Sequence, residues 1–91
     1  MKMKDLARNK VLRKAAYNPL NKLIEECGEL ITALMKLRAN TNVKTIVDTK
    51  EELADVLFHI EGFLFANDIQ KKELVQIAYR KTVERFPEEL K

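Results

Sequence analysis

Residues 53–65 most limit how this chain can fold. At about 100° per residue, Leu53, Ala54, Val56, Leu57, Phe58, Ile60, Phe63, Leu64 and Phe65 cover well over half the circumference of a helix. One neighbouring helix cannot bury so wide an arc, which makes this helix central and predicts that a partner chain covers one side of it. The remaining strip holds Glu51, Glu52, Asp55, His59, Gly62 and Ala66. A narrow acidic strip on an otherwise apolar helix needs a reason.

The rest of the chain also reads as helix, so the predicted fold class is all-α. A basic, weakly amphipathic helix is expected from about Asp5 to Ala16. Asn18-Pro19 starts a second, with Asn as N-cap and Pro at the first helical position. It runs to about Ala39, with an apolar stripe of Leu20, Leu23, Ile24, Cys27, Leu30, Ile31 and Leu34. Asn40 to Val47 lacks strong helix formers and reads as a connection. Asp48-Thr-Lys-Glu51 has the form of a capping box, placing the central helix from about Thr49 to Ala66. Asn67-Asp68 then breaks it and caps a last helix, about Ile69 to Phe86, before Pro87.

The 91 residues form a single domain with no repeat or internal linker. So short a chain buries too little surface to be generously stable alone. Its single cysteine excludes an intrachain disulfide. Self-association is the remaining common source of core, as homodimer or homotetramer. No apolar stretch follows the opening Met-Lys-Met-Lys-Asp and none is long enough to span a membrane, so a cytoplasmic location is expected.

The net charge of +3 is unevenly spread. Residues 1–22 hold seven bases and one acid, whereas residues 25–61 hold eight acids and four bases. A basic chain with an acidic middle suggests a cation site framed by groups that hold anions. Nucleic-acid binding would account for the basic ends, but the acidic middle repels phosphates unless a cation sits there.

Glu26 and Glu29 lie three apart on the second predicted helix, and Glu52 and Asp55 repeat that spacing on the third. Antiparallel packing would bring the two pairs together. Four close carboxylates cannot all stay ionised without compensation. A hard divalent cation supplies it, and oxygen-only ligation suits Mg²⁺ or Mn²⁺. Ordinary solvated helix faces also produce such pairs, and acids in a first turn favour the helix dipole; spacing alone leaves both readings open.

Glu25-Glu26-Cys27-Gly28-Glu29, followed by Glu52-Leu53-Ala54-Asp55, resembles the paired E-E-x-x-E and E-x-x-D motifs of the MazG-type nucleotide pyrophosphohydrolases. The resemblance runs from about Leu23 to Phe86, with the motif-bearing part within about 20–86. It implies a four-helix, all-α bundle whose core is completed by oligomerisation. It also implies Mg²⁺-dependent hydrolysis of nucleoside triphosphates to monophosphate and pyrophosphate. Carried over by motif position, Glu26, Glu29, Glu52 and Asp55 are the metal ligands, and Glu25 supports them or acts as base for the attacking water. Lys81-x-x-x-Arg85-Phe86 is similar to the basic end of MazG-type domains, which implies that both cations hold phosphates. Relatives with Lys and Asn at the positions of Ala78 and Thr82 differ from this chain there. Ala54 to His59 also resembles the phosphoribosyl-ATP pyrophosphohydrolases of histidine biosynthesis, an alternative within the same chemistry. A non-enzymatic helical nucleic-acid- or protein-binding module is the alternative of another class.

Other residues carry weaker expectations. Leu74, Ala78, Lys81 and Arg85 share one face of the last helix. His59, one turn after Asp55, is a candidate phosphate contact, though a lone histidine is more often a structural hydrogen-bonding group. Cys27 and Tyr79 are expected in the core. Glu61 faces the apolar arc and is expected to pair with a base across a subunit interface. No Walker-type Gly-rich loop is present.

Overall fold

The computed structural model describes Lys10, Arg13, Lys14 and residues 16–89. Of the predicted first helix, those three basic residues are helical and Ala16 lies in a turn; the rest lies outside the described residues. Three helices follow: α1 (Pro19–Ala39), α2 (Val43–Ala66) and α3 (Lys71–Arg85). Among the described residues there is no strand, and no helix is long and apolar enough to cross a membrane.

Pro19 opens α1 at the position where a missing N–H costs nothing. Asn18 precedes it in the left-handed region at φ 50°, and its side chain accepts from Asn21 Nδ2 (3.1 Å) instead of capping the backbone. The expected long connection is only Asn40–Asn42, and α2 begins at Val43. Its capping box is built by Asn42 and Thr45, not by Asp48 and Glu51. The Thr45 N–H donates to Asn42 Oδ1 (2.9 Å) and the Asn42 N–H to Thr45 Oγ1 (2.9 Å). The Thr45 hydroxyl also donates to the Asn40 carbonyl (2.8 Å), which ties the turn to the new helix. Thr45, in the segment read as a connection, thus serves the first turn of the helix, and Asp48 lies inside α2. Likewise α3 is capped by Gln70 and Glu73, while Asn67 closes α2.

Helices α1 and α2 form an antiparallel hairpin, the only helix pair with extensive contact among the described residues. Its seam follows alternating steps of three and four: Leu23, Glu26, Leu30, Ala33 and Leu37 on α1, and Thr45, Thr49, Glu52, Val56, His59 and Phe63 on α2. Ala33, Val56 and Leu64 are the buried hydrophobic residues, and no described side chain is completely enclosed. The apolar stripe read on α1 is therefore split. Leu23 and Leu30 turn inward, while Leu20, Ile24, Cys27, Ile31 and Leu34 remain exposed. Cys27 is not a core residue, and neither is Tyr79, which is 66% exposed. On α2, Leu53, Leu57 and Phe65 are exposed on the wide apolar arc.

Helix α3 buries none of its residues. Its start is joined to α2 by an ion pair between Lys71 Nζ and Glu61 Oε1 (3.2 Å), so Glu61 finds a base within the chain and not, as expected, across a subunit interface. The radius of gyration, 16.5 Å, exceeds the about 12 Å of a compact chain of this length. Apolar side chains thus outnumber the positions that one chain can enclose.

Candidate metal and nucleotide site

Two of the acids singled out in the sequence occupy the packed seam. Glu26 on α1 and Glu52 on α2 stand at positions that a plain helical hairpin gives to leucine, whereas Glu29 and Asp55 flank the seam and are exposed. Antiparallel packing brings the pairs together. One carboxylate oxygen each from Glu26, Glu52 and Asp55 lie within 4.8 Å of one another, and Glu25, Glu26 and Glu29 make a second such group. Glu26 belongs to both. Glu25 is exposed and pairs with Lys22 at 3.7 Å.

The electrostatics record the strain of this arrangement. Burial pushes the Glu26 carboxyl above the ordinary carboxylate range, and the charges of Glu29 and Asp55 push it further, against a smaller pull from His59. Glu52 is raised for the same reasons, burial first and then Glu29 and Asp55. His59 Nε2 stands 3.8 Å from Glu26 Oε1, and the imidazole meets Phe58 edge-on with ring centres 5.1 Å apart. Oε2 of Glu26, Oε2 of Glu52 and Nδ1 of His59 are shut from solvent without a hydrogen-bond partner. Such orphaned polar atoms are costly in a finished site. The oxygens fit a divalent cation: the donors are all carboxylate and converge from two helices, and they carry more negative charge than the protein balances.

A cavity of about 270 Å³ continues the groove toward the α1–α2 turn. It shares Glu29 and Glu52 with the acidic cluster and adds Lys36, Thr32, Thr45 and Asp48. Sequence reasoning missed Lys36 and read Asp48 as a cap. The available signal was their register, since Lys36 lies two turns beyond Glu29 and Asp48 one turn before Glu52. Lys81 and Arg85, by contrast, are exposed on α3 and form no ion pair with the cluster.

Comparison with known families decides the relationship. Residues 17–89 match the model of the MazG nucleotide pyrophosphohydrolase domain. The chain belongs to the MazG family. That match spans all three described helices and both acidic motifs, in agreement with the motif resemblance in the sequence. No curated protein and no solved structure matches this MazG chain. The acidic groups are thus read within a MazG domain, a family of nucleotide pyrophosphohydrolases.

Proposed function

We propose that the protein hydrolyses nucleoside triphosphates to nucleoside monophosphate and pyrophosphate, with Mg²⁺ as the natural ion and Mn²⁺ as a substitute. The observation that carries this reading is the convergence of Glu26, Glu52 and Asp55 across the hairpin of a MazG domain. Glu26, Glu29, Glu52 and Asp55 would hold the cation. Bound there, a divalent ion would neutralise the substrate phosphates and lower the pKa of a coordinated water.

The chain's own groups supply the remaining steps. Water adds to the α-phosphorus, the bond from that phosphorus to the α–β bridging oxygen breaks, and pyrophosphate leaves with the electron pair. Glu25, solvent-open beside the cluster, takes the proton of the attacking water. His59, one turn beyond Asp55 and with its Nε2 3.8 Å from Glu26 Oε1, would lie on the side of the departing phosphates.

Lys81 and Arg85 suit the triphosphate chemically, yet α3 does not pack along its own hairpin. This separation supports delivery of the cations by a second copy of the chain. Exposed Leu20, Ile24 and Ile31 on α1 and Leu53 and Leu57 on α2 give that copy an apolar surface to cover. Each functional unit would then be a bundle made of two chains.

Pyrophosphate release from a panel of nucleoside triphosphates and phosphoribosyl-ATP, with Mg²⁺ or EDTA, tests the reaction. Glu52→Gln serves as the control for contaminating hydrolases. Metal-dependent release that disappears in Glu52→Gln supports the proposal; absence of release from every substrate refutes it. A mixture of inactive Glu26→Gln and Arg85→Met chains tests delivery between copies. Intact hybrid sites restore roughly a quarter of wild-type activity in a randomly mixed dimer, and no recovery places the cations in the same chain.

A further inference from the structure

We infer that the cavity at the turn end of the α1–α2 groove is the nucleobase subsite, and that Lys36 and Asp48 select a base bearing both an amino group and a ring carbonyl. The inference rests on the pyrophosphohydrolase reading and adds the substrate class. Along α2, Asp48, Glu52, Asp55 and His59 follow one another at intervals of one turn, so the cavity and His59 lie on opposite sides of the carboxylate cluster. A nucleotide whose α-phosphate sits at the cluster must place its nucleoside on one side and its outer phosphates on the other. The distance along the helix from Asp48 to Asp55 is about 10 Å at 1.5 Å per residue, which suits a base and sugar.

Charge decides the direction. The cavity is lined by four carboxylates, including Asp48 and Glu51, and by one ammonium, that of Lys36. Pyrophosphate would meet a net negative wall there, whereas a neutral heterocycle with N–H donors would not. The size agrees, since 270 Å³ lies just below the roughly 300–1,000 Å³ of pockets for larger organic ligands.

The polar groups at the cavity are not equally free. The Thr32 hydroxyl donates to the Gly28 carbonyl (3.2 Å), and Thr45 is committed to the turn and helix cap. Among the described residues, Lys36 has no ion pair and the half-buried Asp48 carboxylate has no hydrogen-bond partner. Lys36 is therefore a free donor facing a ligand, and Asp48 is the half-buried free acceptor, beside the exposed carboxylate of Glu51. Asp48 accepts from an exocyclic amine, and Lys36 donates to a carbonyl. Guanine and cytosine present both groups, adenine lacks the carbonyl, and uracil lacks the amine.

The test is kcat/KM of the full chain for GTP, CTP, ATP and UTP, in wild type, Asp48→Ala and Lys36→Met. Unfolding temperature with and without Mg²⁺ checks that each variant retains its hairpin and cluster. Wild type should favour GTP or CTP over ATP and UTP by about tenfold or more, because a site built to hydrogen-bond a group discriminates strongly against its absence. Asp48→Ala should erase the preference over UTP, and Lys36→Met the preference over ATP. Turnover whose base ranking is unchanged in both folded variants overturns this inference and leaves the enzymatic reading intact. A wild type preferring ATP or UTP overturns it as well. No turnover by wild type removes both.

Discussion

Replacing Glu26 by Gln should raise stability without metal and lower it with metal. Glu26 belongs to both acidic groups, and its partners' ligand atoms lie within 4.8 Å. At that separation, one pair of like charges costs about 0.9 kcal/mol in a water-like dielectric and about 3.5 kcal/mol at an effective dielectric of 20. Glu29 and Asp55 are exposed, so the lower value governs, and two such neighbours cost about 2 kcal/mol. Lost attraction to His59 and imperfect seating of an amide offset part of that gain. A net stabilisation of about 1 kcal/mol in EDTA corresponds to roughly 4–8 °C in Tm for a domain of this size.

With Mg²⁺ the order should reverse. An ion at a hundred times its Kd stabilises the wild type by about 2.7 kcal/mol, or roughly 10–20 °C by the same conversion. Glu26→Gln lacks the shared ligand and should gain only about a quarter of that or less. Thermal unfolding followed by circular dichroism, at one fixed chain concentration and with Mg²⁺ titrated from EDTA, reads both effects. Fixed concentration matters because an assembling chain has a concentration-dependent Tm. Glu26→Gln less stable than wild type in EDTA, together with a wild type indifferent to Mg²⁺, would refute the reasoning. The carboxylates would then be structural groups and not a charge cluster awaiting a cation.

Three further outcomes are expected. Glu26 and Glu52 titrate above the ordinary carboxylate range, so the folded chain holds protons that the unfolded chain has released. Metal-free stability should therefore rise as pH falls from the raised values toward the ordinary range, and Mg²⁺ should abolish that gain; stability in EDTA that falls over this window contradicts it. Asn42→Ala removes the side-chain acceptor of the α2 capping box and should cost about 1 kcal/mol in urea unfolding; an unchanged midpoint would show the short turn to be held by Thr45 alone. Ile24→Glu combined with Ile31→Glu alters only exposed positions of α1 and should lower the assembly state in light scattering. Unchanged mass would leave that face without a second copy upon it.

The boundary errors share one physical cause. Residues 43–48 are rich in β-branched and short polar side chains, whose intrinsic preference disfavours helix by only a few tenths of a kcal/mol each. Packing of Thr45 and Thr49 into the seam, with hydroxyls bonded to the preceding backbone, overrides that preference. Propensity alone therefore shortened α2 by about six residues and lengthened the turn. The type and order of the three described helices were legible because their periodicity is long. The orientation of α3 was not, since its apolar and basic residues are distributed without a face wide enough to specify a partner.

The acidic motifs were legible as spacing, but the residues that matter most are distinguished by register. Glu26 follows Leu23 and precedes Leu30 on α1; Glu52 precedes Val56, and His59 precedes Phe63 on α2. Each polar residue thus interrupts a run of three- and four-residue steps whose other members pack the hairpin. A solvated acid gains nothing from such a place, and a seam leucine would stabilise the chain more. The same positions make the cluster rigid, because a carboxylate anchored between two packed helices needs little ordering when a ligand arrives. The exposed Glu29 and Asp55 lack that restraint, so the proposed ligand set would have two fixed members and two adjustable ones. Local disagreement between pattern and burial is expected where stability has been traded for chemistry. Here that disagreement falls on Glu26, Glu52 and His59, each with a buried polar atom that has no hydrogen-bond partner among the described residues.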